Sequence, residues 1–123
     1  MNNQTSPTAH AAVVLPRTLF DHPDRNALEE TIEALGAKVV WLAEQGADGL
    51  SRIQCSLYDS KIKPNDALVV IDNHDDLRSA ATIYGLACIG IVLGTDYSLM
   101  PDMAAMGKKV MFGVDALVTH LRP

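Results

Sequence analysis

The chain is short of several features that usually direct a functional reading. It has only two cysteines in 123 residues, Cys55 and Cys88, far apart and in no CxxC arrangement. That excludes a disulfide-stapled scaffold and a cysteine-type zinc site. Both cysteines fall at presumed helical positions on apolar faces and read as buried free thiols, which favours a reducing compartment. No apolar run approaches the length of a membrane span, and the N-terminus lacks the basic and apolar regions of a signal peptide. The expected location is therefore cytoplasmic, with no membrane partner. Positive charge is scarce as well: ten Lys and Arg stand against fifteen Asp and Glu, for a net charge of −5. The basic residues are scattered, with only Lys108 and Lys109 adjacent, so the clustered cations of a nucleic-acid face are missing. His10, His22, His74 and His120 are not at zinc spacing, and no Gly-rich phosphate fingerprint occurs.

What the chain does have is an organising stretch at residues 66–76, Asp-Ala-Leu-Val-Val-Ile-Asp-Asn-His-Asp-Asp. Five apolar residues, Ala67 to Ile71, end abruptly in a polar cluster. A short apolar run bounded by turn formers predicts a strand buried on both faces, in the middle of a parallel sheet. Asp72, Asp75 and Asp76 follow. In a parallel sheet they leave at its carboxyl end, where open α/β folds place their ligands. Asp75 and Asp76 also read as caps of the next helix, whereas Asp72 sits directly on the strand end.

In chain order, residues 1–10 are polar and aperiodic and read as a disordered tail, with one domain over 11–123. The first strand either covers Ala12–Leu15 with Pro16 ending it, or runs on to Phe20 with Pro16 at an edge or irregularity. Asp21 can cap a first helix, with Pro23 in its first turn, Leu28, Ile32 and Leu35 as its stripe, and Gly36 closing it. A strand at 38–42 and a helix at 47–58 follow. After the strand at 67–72, a helix is predicted over roughly 75–88, with Leu77, Ala80, Ala81, Tyr84 and Cys88 facing inward. A strand at 89–94, a helix at 99–106, a strand at 109–112 and a last helix capped by Asp115 complete the chain. Trp41 reads as core. Strands alternate with helices five times and no hairpin signal intervenes. The pattern predicts a single doubly wound α/β domain with a five-stranded parallel sheet.

The strand exits converge in such a fold. The first offers Asp21 and Asp24, or Arg17 and Thr18 in the other register; the third offers Asp72 and Asn73; the fourth offers Thr95 and Asp96. Asp21, Asp24 and Asp72 form a candidate acidic pocket able to hold Mg²⁺, which takes one or two carboxylates plus waters. A carboxylate is also a nucleophile able to form an acyl phosphate. The same residues equally fit turns at solvated strand ends.

Several segments resemble response-regulator receiver domains. Asp21-His-Pro-Asp-Arg-Asn-Ala-Leu-Glu-Glu-Thr-Ile-Glu-Ala-Leu-Gly36 is similar to the family's first helix after an acidic strand end. Val39–Leu50 is similar to its second strand and the entry to helix two, and Asp66–Asp72 to the segment ending in the phosphoacceptor aspartate. Ile91–Thr95 resembles the strand ending in the switch Ser/Thr, and Gly113-Val-Asp-Ala-Leu117 the start of the last helix. The resemblance implies a flavodoxin-like sheet of order 2-1-3-4-5, with Asp72 at the phosphoacceptor position and Thr95 at the switch position. Three departures stand beside these matches. Phe20 occupies the place of one of two adjacent acidic residues, Phe112-Gly113 replaces the family's Lys-Pro, and the interval from Asp72 to Thr95 is short. The lost ammonium would leave phosphoryl charge uncompensated.

The resulting expectation is a degenerate receiver that acts by protein contact, without phosphorylation and not as an enzyme. A kinase or regulator is the expected partner, and a homodimer through helix four and strand five is possible in this reading. Met100, Met103 and Met106 are candidates for the partner surface, with core packing as the alternative. A rival reading is a nucleotide or sugar-phosphate binding protein or transferase using Gly94, Thr95, Asp96 and Ser98 ahead of a helix.

Overall fold

A computed structural model describes residues 10–43 and 48–122. The expected tail at 1–10 lies outside the described residues except for His10, and the expected start of the second helix at Ala47 also lies outside them. Five strands alternate with five helices: β1 Ala12–Leu15, α1 Arg25–Ala34, β2 Lys38–Trp41, α2 Gly49–Asp59, β3 Ala67–Ile71, α3 His74–Ala81, β4 Ala87–Val92, α4 Leu99–Ala105, β5 Val110–Phe112 and α5 Val114–Leu121. Every strand pair is parallel, and the order is β2-β1-β3-β4-β5. This is the flavodoxin-like arrangement, and its switch point falls between the exits of β1 and β3.

The alternation of side chains along each strand divides the core in two. Val14, Val69 and Ile71 pack with Ile53, Leu57, Leu77, Leu99 and Met103 on the face covered by α2, α3 and α4. Val13, Leu15, Leu68 and Val70 pack with Leu28, Ile32, Leu117 and Leu121 on the face covered by α1 and α5. All five residues of β3 are buried, as the continuous apolar run predicts. Burial of each larger side chain there contributes about 1.5–3 kcal/mol. Among the described residues no helix is long and apolar enough to cross a membrane.

The first strand takes the shorter of its two registers. Pro16 ends it, and a single 3-10 turn at Arg17–Leu19 follows. Two helix starts differ from expectation. Asp24, not Asp21, occupies the N-cap of α1, without a side-chain cap bond. Gly113 precedes α5, and Asp115 stands inside its first turn. Helix α3 is shorter than its periodicity suggests. It stops at Ala81, Tyr84 is 99% exposed and Ala81 is exposed, and Cys88 belongs to β4. Pairing of Leu68 with Ala87 and Val69 with Cys88 pulls that segment into the sheet. Cys88 is buried, while Cys55 is exposed on α2. Trp41 is half-buried on edge strand β2, with Phe20 meeting its ring edge-on at 5.1 Å.

Candidate functional site at the carboxyl ends of the strands

The 3-10 turn after β1 carries Thr18 to the exit of β3, where its hydroxyl donates to Asp72 Oδ2 at 2.6 Å. Asn73 Nδ2 donates to the other oxygen, Asp72 Oδ1, at 2.7 Å. Both carboxylate oxygens of Asp72 are thus held from within the protein. Arg17, Thr18, Leu42, Arg52, Asp72 and Asn73 line a cleft of about 270 Å³ at the switch point. A second cleft, of about 380 Å³, opens between the exits of β3 and β4 and is lined by Asp72, Asn73, His74, Gly94, Thr95, Asp96 and Ser98.

Asp21 and Asp24 lie beyond the 3-10 turn and line neither cleft. Among the described residues no three His, Cys, Asp or Glu side chains are grouped to hold a metal ion. Because β1 ends at Pro16, the 3-10 turn gives Thr18 the place beside Asp72.

Asn73 does more than its neighbours suggest. Its Oδ1 accepts the Asp76 backbone N–H at 2.8 Å, so it is Asn73 that caps α3, in place of Asp75 or Asp76. Its Nδ2 also donates to Asp76 Oδ2 at 2.9 Å. Asp76 is 3% exposed, and a carboxylate in that position requires a charged partner. Arg52 of α2 supplies it, at 2.9 Å from Asp76 Oδ1 and 3.3 Å from Asp75 Oδ2. The bond to Asp76 raises the Arg52 pKa further above its ordinary value, against the opposing effect of burial. Gly49 N–H donates to Asp75 Oδ2 at 3.0 Å. The helices approach so closely there that a Cβ on Gly49 would lie 2.7 Å from Asp76 Oδ1 and 2.8 Å from Ser79 Oγ. Sequence reasoning misses Arg52. The available signal is its place one residue before Ile53, on the flank of the buried Ile53–Leu57 stripe.

The Gly94–Ser98 segment forms one wall of the larger cleft. Asp96 Oδ1 accepts the Ser98 backbone N–H at 3.0 Å, and this bond holds the Asp96 carboxyl below its usual range. Across the cleft, His74 Nδ1 lies 2.9 Å from Asp102 Oδ2, and its Nε2 lies 3.3 Å from Ser98 Oγ. His74 and Asp102 are absent from the site residues that the sequence singles out, because only the folded chain brings the first residue of α3 against α4. The carboxylates of Asp72 and Asp96 make the cleft a poor match for a free phosphate.

The methionines separate. Met103 is fully buried, with Gly90 and Val110 around it, and so is core, not partner surface. Met100 and Met106 are 37% and 39% exposed. Phe112 is exposed at the exit of β5, with Tyr97 packed edge-on at 6.0 Å. Lys108 and Lys109 line a cleft with His10, Cys88 and His120 at the opposite, entering end of the sheet. No protein-family model matches the sequence, and no curated protein matches it either.

Proposed function

We propose that this chain is a receiver-like signalling domain that works through protein contact and in which Asp72 is not a phosphoacceptor. The observation that carries the reading is the state of Asp72. It stands at the carboxyl end of the central strand, with Thr18 on one oxygen and Asn73 on the other. A hydrogen bond on each oxygen draws charge from the carboxylate and weakens it as a nucleophile toward phosphorus. Phe112, an apolar ring, occupies the β5 exit, where the receiver resemblance requires a lysine. An ammonium about 4 Å from a phosphoryl group is worth roughly 4 kcal/mol at an effective dielectric near 20, and Lys108 and Lys109 are at the far end of the strand. The exposed Tyr97–Phe112 pair and Met100 supply apolar area for a protein partner on the β4–α4–β5 side.

The test is incubation with Mg²⁺ and acetyl phosphate, followed by intact mass and peptide mapping. No phosphoryl adduct on Asp72 is expected. A phosphoryl adduct present in the wild type and lost in Asp72→Asn sinks the reading.

A further inference from the structure

Ser98 has an unusual position for a residue at the start of a helix. Serine at an N-cap normally turns its hydroxyl onto the backbone N–H groups of the first turn. Here Ser98 occupies the N-cap of α4 with helical backbone angles and makes no side-chain cap bond. Its hydroxyl faces His74 Nε2 at 3.3 Å instead. On the other side of the ring, His74 Nδ1 meets Asp102 Oδ2 at 2.9 Å.

The order of contacts favours one arrangement of protons. An ionised Asp102 only accepts hydrogen bonds, so Nδ1 presents a proton to it, and in the neutral ring Nε2 is left as the acceptor for the Ser98 hydroxyl. A carboxylate behind Nδ1, a free Nε2 and a hydroxyl in front of it are the three parts of an activated serine, recognised by geometry and not by sequence order. The 3.3 Å separation is in the looser range expected before a substrate is bound. Three elements converge to build the arrangement: the start of α3, the loop after β4, and α4. Asp96 holds the Ser98 backbone in place, and both Ser98 and His74 line the 380 Å³ cleft, which gives a small donor access.

We propose that Ser98 is a nucleophile that accepts an acyl group from an activated, uncharged donor, an aryl ester, with His74 as its base and Asp102 as the positioning residue. Ser98 Oγ bonds to the acyl carbon as its proton passes to His74 Nε2. The bond from that carbon to the leaving oxygen then breaks, and phenolate departs with the electron pair. The imidazolium returns its proton to the leaving group or to water, and an O-acyl serine remains. The surroundings limit the donor. The Ser98 N–H is committed to Asp96, and both Asn73 amide contacts go to Asp72 and Asp76, so these nearby donors are not free to stabilise an oxyanion. Loss of one such donor costs roughly 10²–10³ in rate. The site is therefore suited to good leaving groups and to slow, stoichiometric acylation, not to peptide hydrolysis. This inference is independent of the state of Asp72.

The experiment uses the full chain and para-nitrophenyl acetate, following phenolate release and locating the acetyl group by peptide mapping. One equivalent of phenolate and acetyl on Ser98 are expected. Ser98→Ala removes that label, His74→Ala slows it by about 10²-fold, and added imidazole restores part of the lost rate. Asp102→Asn slows labelling by about tenfold or more, because the wrong ring tautomer becomes available. All three side chains are partly exposed, so thermal melts are expected to match wild type. Acetyl found only on lysines, or a Ser98 label formed equally fast in His74→Ala, overturns the proposal.

Discussion

Arg52 and Asp76 are unequal partners, and their substitution separates two kinds of ion pair. Asp76 is nearly sealed, whereas the side chain of Asp75 is 52% exposed. Arg52→Met strands a buried carboxylate and is expected to cost about 3 kcal/mol. Asp75→Asn keeps an acceptor for the Gly49 N–H and loses only a solvated attraction, so its cost is expected to stay below about 1 kcal/mol. Urea melts of the two variants measure the difference. Gly49→Ala meets two oxygens inside van der Waals contact and is expected to cost about 1–3 kcal/mol. Asp48 adds a pH dependence. Its Oδ1 accepts the Ser51 N–H at 2.8 Å, which lowers its pKa, chiefly through that bond. Its contribution is present above the ordinary carboxylate pKa and is lost as the pH falls through the depressed folded value. An NMR titration of the Asp48 carboxyl checks this, and Asp48→Asn is expected to keep the cap while removing the acid dependence.

At the scale of the elements, α4 illustrates how far a sequence pattern reaches. Met100, Met103 and Met106 are chemically alike, and composition alone leaves them together. Helical geometry and the approach of β4 separate them, placing Met103 against Gly90 and leaving the other two at the surface. Met103→Ala is expected to destabilise the fold by about 2–5 kcal/mol, while Met100→Ala stays within about 0.5 kcal/mol; thermal unfolding distinguishes them. The overrun of α3 has a similar cause. Leu77, Ala80, Tyr84 and Cys88 fit a helical stripe, yet Cys88 fits a strand equally well. Only the ladder with β3 decides between the two periods. Short apolar segments carry no such partner information in themselves. By contrast, β3 is legible because its whole run is apolar and its boundaries are polar, so nothing competes with the strand reading.

For the whole molecule, alternation of strands and helices made the parallel, doubly wound architecture legible, and the receiver resemblance supplied the strand order. The placement of Asp72 at the sheet's carboxyl end followed from the same pattern. Its companions did not. Thr18 was accessible only through a choice of register at Pro16, and the His74–Asp102 contact depends on how α3 and α4 lie against the sheet. Under the proposed mode of action, the exposed β4–α4–β5 side is where association should be sensitive. Phe112→Glu replaces an exposed ring with a charge without opening the core. It is expected to weaken any self-association or partner binding through this side, and sedimentation velocity of wild type and variant measures the self-association.

The Thr18–Asp72 hydrogen bond joins residues 54 positions apart, and this separation has a kinetic consequence. Strand β2 and helices α1 and α2 are all threaded between its ends. The entropy of closing that long loop must be met by the β1–β3 ladder before the two exits can come together. A bond at the rim of that ladder is expected to form late, after the folding barrier is crossed. Thr18→Ala should consequently hasten unfolding while leaving the refolding rate unchanged, so a chain halted partway along its folding route would lack this rim altogether.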